Sequence, residues 1–237
     1  MPYRSAARTH VGAVRRRNED AVLERPEIGL WAVADGAGGH QRGDFASACI
    51  TAALDEVNPG LRGVVLAENV KARLAEVNHK LRKMATTIGP DVLIGTTVAV
   101  LLIQENESCC LWAGDSRFYR MRAGRLQQLS RDQSHVQNLV DRGEIAPEAA
   151  ATHPLRNIVT NLVGASDDLI LEERHDRLEP GDVLLLCSDG LSGAITDAEM
   201  AAILRGPPVT AADRLIERAL AQRARDNVSA VVIEYPT

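Results

Sequence analysis

Residues 31–40 read WAVADGAGGH, an apolar run that ends at an aspartate and a glycine-rich turn. The apolar residues before Asp35 predict a buried strand over residues 29–35. A carboxylate at the end of such a strand is costly to bury unless another group compensates its charge. The partner that makes Asp35 acceptable there must therefore come from elsewhere in the chain.

Acidic residues stand at the ends of three other apolar runs. LWAGDSR ends one run at Asp115, LLLCSDG ends another at Asp189, and Asp226 comes just before the run VSAVVI. Asp-Gly is a common turn dipeptide, so Asp35 or Asp189 taken alone is more often a turn residue than a ligand. Asp226 taken alone could instead cap a helix or pair with Arg225.

A second group of acids, Glu19 and Asp20, follows the basic run RRR at residues 15–17. Taken alone, these charges are typical of a solvated surface. Strand ends on one side of a sheet meet in space, however, and neighbouring carboxylates repel each other unless a cation lies between them. Oxygen ligands favour Mg²⁺ or Mn²⁺, and the glycine after Asp35 lets the carbonyl of Gly36 approach such an ion.

A pair of divalent ions in this site predicts chemistry on a phosphate ester. Two ions about 3.5–4 Å apart would hold a bridging hydroxide and bind two oxygens of a phosphate group. The phosphate also needs a cation from the protein, and the planar guanidinium of arginine matches two of its oxygens. One of Arg15, Arg16 and Arg17 pointing into the site would suffice.

Composition narrows the class of protein. The chain has 237 residues, 45% of them hydrophobic and 25% charged, which is ordinary for a globular protein. A net charge of −5 and only 3% aromatic residues argue against a nucleic-acid partner. The longest apolar run, residues 98–103, is too short to span a bilayer, and the first ten residues lack the apolar core of a signal peptide. We therefore expect a cytoplasmic monomer with no membrane partner. The four cysteines are expected to be buried free thiols rather than zinc ligands or disulfides.

The order of predicted elements favours antiparallel sheets covered by helices, an α+β fold in a single domain over residues 1–237. An apolar stripe at four-three spacing predicts a helix over residues 70–84, and a further helix is expected over 44–57. Capping boxes at Thr196 with Glu199 and at Thr210 with Asp213 predict two late helices. Residues 133–164 are the least regular and predict a flap. Strands are predicted over residues 29–35, 96–104, 108–113, 118–122, 125–129, 183–187 and 228–235.

These motifs together resemble the metal-dependent serine/threonine phosphatases of the PP2C (PPM) family in their compact bacterial form. The matching pieces occur in the family's order and cover the chain nearly end to end. They are VRRRNED (14–20), VADGAGGH (33–40), GTT (95–97), AGDSR (113–117), HPLRN (153–157), CSDGL (187–191) and DNVS (226–229).

The resemblance implies a four-layer αββα sandwich of two antiparallel sheets flanked by helices, with the metal site in a cleft at one end of the sheets. Asp35 would bridge two Mn²⁺ or Mg²⁺ ions and Arg15 would bind the substrate phosphate. The other implied metal ligands are Asp189 and Asp226 for the first ion, the Gly36 carbonyl for the second, Glu19 and Asp20 mostly through water, and Asp115 with Asp189 for a weaker third ion.

Two positions depart from the family pattern. Bacterial relatives usually have methionine where Ala37 stands, and eukaryotic relatives have a histidine proposed as general acid. The proton for the leaving oxygen would then come from a metal-bound water or another group. His40 is a candidate, although a structural role is at least as common for such a histidine. Gln133 replaces a common histidine of the R-D-x-S motif.

The resemblance implies hydrolysis of phosphoserine or phosphothreonine on other proteins, by direct attack of the hydroxide held between the ions. The alternative is a weak or inactive PP2C-fold module used for binding or sensing. A phosphatase with an aspartyl nucleophile would need a D-x-D-x-T-type motif after a strand, and the sequence has none.

The stretch GLWAVADGAGGH with the following RGDFAS (42–47) is similar to the phosphatases that accompany type VI secretion clusters. Those oppose a cognate serine/threonine kinase and act on a forkhead-associated scaffold protein. The alternative cellular role is that of a general partner of a bacterial serine/threonine kinase.

Overall fold

Two antiparallel sheets form the centre of the fold. The computed structural model describes residues 3–37 and 42–236. The strands are β1 (Arg4–His10), β2 (Asp20–Arg25), β3 (Leu30–Ala37), β4 (Gly95–Thr96), β5 (Val98–Gln104), β6 (Glu107–Ala113), β7 (Arg117–Arg122), β8 (Arg125–Gln128), β9 (Glu172–Arg177), β10 (Val183–Cys187) and β11 (Val228–Glu234). The helices are α1 (Gly43–Asp55), α2 (Gly63–Ile88), α3 (His135–Asp141), α4 (Pro147–Ala150), α5 (Asp189–Ser192), α6 (Asp197–Ile203) and α7 (Pro208–Ala221), with a 3₁₀ turn at Pro26–Ile28.

Each sheet pairs strands that are distant in sequence. One sheet has the order β1-β11-β10-β7-β8, and the other has the order β2-β3-β5-β6-β9 with β4 paired to β3. The predicted hairpins β5–β6 and β7–β8 are both present, with antiparallel pairing. Strand β11 lies between β1 and β10, so the end of the chain is inserted into the middle of a sheet.

Alternation along β3 explains why its apolar run is continuous. Trp31 and Val33 pack between the two sheets, whereas Ala32 and Ala34 pack on the opposite face toward the first two helices. Successive side chains of a strand point to opposite faces, so every side chain is buried when the strand is covered on both faces, and apolar residues are favoured at each position. The resulting layers, helices α1 and α2, two sheets, and helices α5 to α7, confirm the predicted four-layer sandwich.

The predicted helical stripe packs against the β2–β9 sheet. Val70, Leu74, Val77 and Leu81 are buried on α2, and Met84 is partly buried against the same core. Helix α1 occupies the region predicted as 44–57, with slightly different bounds. A long helix with one apolar stripe covers a sheet face while its other face stays in solvent.

One of the two predicted capping boxes is correct and the other is wrong. The Thr196 side chain caps α6 by accepting a hydrogen bond from Glu199 N, and the Glu199 carboxylate accepts one from the Thr196 backbone N–H. Helix α7 instead begins at Pro208, so Thr210 and Asp213 lie inside it, and no side chain in the described residues caps it. Proline is favoured at the first helical position because its missing N–H would have no partner there.

Three strands were not predicted from the sequence, and all three lie at sheet edges. β1, β2 and β9 are the outermost strands of their sheets, and β9 reads EERHDR. An edge strand buries fewer side chains, so it lacks the apolar pattern on which the prediction depends. Within residues 3–37 and 42–236, no helix has the length and apolar character that crossing a membrane requires.

The predicted flap contains the two short helices α3 and α4 and is bonded to the sheet region at both ends. Gln133 N donates to Gly114 O at 2.9 Å, and Val163 N donates to Thr96 O at 2.9 Å. Between these attachments, residues 154–158 are exposed. That this segment moves stays a prediction.

Candidate metal centre

Asp20 and Asp35 lie directly opposite each other on adjacent strands. They form a cross-strand pair at the ends of β2 and β3. Like charges in that position repel, because opposed residues have their Cβ atoms only about 4.5–5.5 Å apart. The pair is therefore unfavourable by itself and needs a compensating positive charge.

Asp189 and Asp226 come from two further adjacent strands. Asp189 is the first residue of α5, two residues after the end of β10, and Asp226 lies two residues before the start of β11. Gly190 permits their close approach, since a Cβ there would lie 1.9 Å from the carbonyl oxygen of Asn227. Any side chain at this position would force the two loops apart.

Asp115 occupies the loop between β6 and β7 and is buried. The preceding Gly114 has φ +105° and packs against Thr97, so a side chain there would be strained and would clash. Thr97 Oγ1 is 2.7 Å from Ser116 Oγ, and it accepts a hydrogen bond from Asp35 N at 3.1 Å. The GTT motif thus connects the backbone of Asp35 to the Asp115 loop.

The electrostatics of the cluster are those of a cation site. Burial, and then the charges of Asp20, Asp189, Asp115 and Asp226, raise the pKa of Asp35 well above its ordinary value. Burial and neighbouring carboxylates raise the pKa of Asp115 to about 7 and that of Asp20 to about 6, and raise that of Asp189 as well. Burial and mutual repulsion disfavour the charged form of these carboxylates, whereas a divalent cation among them would favour it.

Asp20 has one oxygen engaged and one unpartnered. Its Oδ2 accepts from Ser188 Oγ at 2.8 Å and from Ser229 Oγ at 2.6 Å. Its buried Oδ1 has no hydrogen-bond partner within the part of the chain that the structure describes. A buried carboxylate oxygen normally has a partner, so this atom, beside Asp35, fits a metal ion or its water shell. The residues present therefore fit a divalent cation with oxygen ligands.

Arg15 lies at this cluster. Its Nη2 donates to Asp226 Oδ2 at 2.6 Å, and its side chain is 54% exposed. That hydrogen bond raises the pKa of Arg15, and the charges of Asp226, Glu19 and Asp35 raise it further, whereas partial burial acts in the opposite direction. A permanently charged and accessible guanidinium beside the acids is suited to an anionic substrate.

Glu19 and Gly36 meet where β2 and α1 approach β3. Gly36 N donates to Glu19 O at 3.1 Å, and a Cβ on Gly36 would lie 2.1 Å from Gly43 O. Burial, and then the charge of Asp44, raise the pKa of the Glu19 carboxyl. His40, the candidate proton donor, lies outside the described residues.

Asn227 is a supporting residue whose role the sequence analysis missed, although it stands in the DNVS motif. Its Nδ2 donates to Val11 O at 2.9 Å and to Arg17 O at 2.8 Å, and its Oδ1 accepts from Glu19 N at 2.8 Å. One buried amide therefore holds both ends of the loop that carries Arg15. The signal available in the sequence was a polar residue next to Asp226 at the start of an apolar strand.

Gln133 is the second supporting residue. Its Oε1 accepts from Gly114 N at 2.8 Å and from Asn161 Nδ2 at 2.8 Å. Its own N–H bonds Gly114 O, so Gln133 attaches the flap to the residue before Asp115 from two sides. The glutamine that departs from the family pattern is thus integrated into the structure.

Comparison with known proteins places this site in context. A family model described as protein phosphatase 2C matches residues 9–229. The serine/threonine protein phosphatase PstP of Mycobacterium tuberculosis is 38% identical over 237 residues, which cover 99% of this chain but 45% of PstP, so the chain spans less than half of that relative. The serine/threonine phosphatase stp of Listeria innocua is 30% identical over 236 residues, 96% of this chain and 94% of the relative.

Solved structures agree with these relatives. PppA, a key regulatory component of T6SS in Pseudomonas aeruginosa, superimposes with a TM-score of 0.92 at 40% identity and covers 99% of both chains. The catalytic domain of the serine/threonine protein phosphatase PstP in complex with two manganese ions superimposes with a TM-score of 0.89 at 34% identity, again over 99% of both chains.

Proposed function

The chain belongs to the protein phosphatase 2C family, and we propose that it is a metal-dependent protein phosphatase that hydrolyses phosphoserine and phosphothreonine. The observation that carries this proposal is the cluster of Asp20, Asp35, Asp115 and Asp189, whose pKa values are all raised, beside the accessible Arg15. Mutually repelling carboxylates are retained where a cation compensates them. The two manganese ions of the PstP catalytic domain support the same conclusion.

The resemblance to the family implies a ligand set, and the clustering of these residues supports it. Asp35, Asp189, Asp226 and the carbonyl of Gly36 would hold the two ions, with Asp35 shared between them. Bound divalent ions supply activation of a water molecule and neutralisation of charge on the phosphoryl oxygens. As the resemblance implies, Glu19 and Asp20 would contribute mostly through water, and Asp115 would contribute to a weaker third ion.

Arg15 binds and orients the phosphate. Its guanidinium matches two phosphate oxygens, and Asn227 holds the loop that carries it. Ala37 at the end of β3 has no ionisable group, so it supplies no proton to the leaving serine or threonine oxygen. The substrate enters as a side chain of another protein, beside the flap of residues 133–164 in a single domain of residues 1–237.

The direct test is hydrolysis of a phosphothreonine peptide with and without metal. We expect a chelator to abolish turnover and Mn²⁺ or Mg²⁺ to restore it. Calorimetric titration with Mn²⁺ separates the inactive binding module, which would bind metal or phosphopeptide without turnover. Undiminished turnover in a chelator, or a trapped phosphoenzyme, would contradict the proposal.

For the cellular role we propose opposition to a serine/threonine kinase within type VI secretion, with a forkhead-associated scaffold protein as substrate. The similarity to PppA over nearly the whole of both chains supports this role. The alternative is a general kinase partner. Phosphoproteomics of a deletion strain distinguishes the two, because accumulation of phosphate on proteins outside a secretion cluster would favour the general role.

A further inference from the structure

Three potential metal-ligating side chains meet at the outer edge of the β2–β9 sheet, facing α2. Cys109 on β6 lies directly opposite His175 on β9, and Glu173 is two residues earlier on β9, on the same face. One ligand atom from each lies within 4.8 Å of the other two. The sheet therefore places a thiol, an imidazole and a carboxylate together from residues more than 60 positions apart.

One distance between ligand atoms already matches a tetrahedral zinc site, and a second is shorter. With bonds of about 2.3 Å to sulfur and about 2.0–2.2 Å to nitrogen and oxygen, neighbouring ligand atoms are about 3.4–3.6 Å apart. Cys109 Sγ and Glu173 Oε1 are already 3.5 Å apart. His175 Nε2 is 2.6 Å from the same oxygen and would need to move outward by about 0.8 Å, which its 70% exposed side chain permits.

Lys71 on α2 orients the carboxylate. Its Nζ is 2.6 Å from Glu173 Oε2, the oxygen that faces away from Cys109 and His175. The other oxygen, Oε1, contacts both potential ligands. Metal-ligating carboxylates are usually held in this way by a hydrogen bond to the non-ligating oxygen.

We propose that Cys109, Glu173 and His175 form a binding site for Zn²⁺ or a cation of similar softness, with a fourth position open to water or an external ligand. Thiolate and imidazole select such ions over Mg²⁺ and Mn²⁺. Binding forms the sulfur–metal bond and releases the thiol proton to solvent. Burial and the charge of Glu173 raise the pKa of Cys109 to about 12.

This site is separate from the carboxylate centre. Cys109 is four residues before the end of β6 at Ala113, which is about 13 Å at about 3.3 Å per residue, and Asp115 lies beyond that end. No two cysteines in the chain have the spacing of paired zinc ligands, so the sequence predicts free thiols. The site instead uses a single cysteine and two residues from a strand that the analysis did not predict.

The test is titration of the full chain with Cd²⁺ or Zn²⁺ in the presence of excess Mg²⁺, which occupies the oxygen-ligand sites. We expect about one equivalent of Cd²⁺ to produce a thiolate-to-metal absorption band. The band should be lost in Cys109→Ser and its apparent affinity should fall at least tenfold in His175→Ala and Glu173→Gln. Cys49→Ser is the matched control and should keep the band, because Cys49 lies on α1 outside this cluster.

A second measurement covers the case in which Cys109→Ser does not fold. Zn²⁺ in excess Mg²⁺ should raise the Tm of the wild-type protein and of Cys49→Ser, and Glu173→Gln should lose most of that rise. A wild-type protein with no thiolate band, or a band that survives in Cys109→Ser, would overturn the proposal.

Discussion

Replacing Asp35 by asparagine should stabilise the metal-free protein while removing its response to metal. The substitution deletes the charge at the centre of the cluster, where Asp20 is the largest of the neighbouring charges acting on Asp35. An asparagine amide can also donate to the adjacent carboxylates, so the change removes repulsion without leaving its new N–H groups unpaired.

The magnitude follows from the carboxyl groups around it. The pKa of Asp20 rises from 3.8 to about 6 and that of Asp115 rises from 3.8 to about 7. At about 1.36 kcal/mol per pKa unit, ionising either group above these values costs the folded state about 3–4 kcal/mol relative to the unfolded chain. Burial and neighbouring carboxylates raise the pKa of Asp35 as well, so Asp35→Asn, which cannot ionise, should be more stable than wild type in a chelator at pH 7.5. Each 1 kcal/mol gained raises the Tm by roughly 2–4 °C for a chain of this size.

The assay is urea and thermal unfolding of wild type and Asp35→Asn, each in a chelator and in Mn²⁺. Wild type should gain stability from Mn²⁺, because ligand binding to the folded state stabilises it, and the variant should lose most of that gain and its turnover. A variant less stable than wild type in the chelator, or one with an undiminished response to Mn²⁺, would refute the electrostatic reasoning.

The same groups determine how the stability of the metal-free protein depends on pH. Since the pKa values of Asp20 and Asp115 are raised in the folded state, the folded protein binds more protons than the unfolded chain between about pH 4 and pH 7. The free energy of unfolding should therefore fall as pH rises through that window, and the fall should be smaller in Mn²⁺. A rise in stability from pH 5 to pH 7.5 in a chelator would contradict this sign.

Three further substitutions test individual contacts. Arg15→Ala should lower kcat/KM for a phosphopeptide at least tenfold, which is about 1.4 kcal/mol in transition-state binding. Its stability in urea should change little, because the side chain is 54% exposed. Unaltered kinetics would show that Arg15 does not bind the substrate. Gln133→Ala should lower the free energy of unfolding by about 1–3 kcal/mol, because it leaves the buried backbone N–H of Gly114 unpaired. Replacing the exposed Gln127 by alanine is the control and should change stability little. Equal effects would argue against the attachment of the flap through Gln133. Thr196→Ala should lower the free energy of unfolding by about 1 kcal/mol through loss of a helix cap. Thr210→Ala should lower it by less, since Thr210 lies inside α7. A larger loss in Thr210→Ala would indicate that Thr210 caps a helix after all.

The central strands and the main acids could be predicted because each is encoded locally. The apolar runs of β3, β5, β6, β10 and β11 are buried on both faces, so each is recognisable by itself. The stripe on α2 and the capping box at Thr196 are likewise properties of short windows. The edge strands β1, β2 and β9 were not predicted for the opposite reason, since their residues become strand only by pairing with a neighbour; the edge strand β8 was predicted because it follows β7 after a short turn.

The candidate site divides in the same way. Asp35, Asp115 and Asp189 were identified because each ends an apolar run, and Arg15 was identified because it fits a family motif. The supporting contacts of Asn227 and Gln133 were not identified, because a side-chain amide can donate to or accept from many groups, and only the folded chain determines which of them is its partner. The thiol, carboxylate and imidazole at the far edge of the sheet went unrecognised because β9 was not predicted.

The amino-acid sequence by itself determined which segments are buried and that charged carboxylates stand at their ends, since apolar periodicity and turn residues act over a few positions. Only the tertiary structure decided which groups those carboxylates face. Asp20, for example, accepts hydrogen bonds from Ser188 and Ser229, which lie 168 and 209 positions away. Partners at such separations are selected by the order of strands in the sheets, and that order depends on the free energy of the whole packed chain rather than on any local segment.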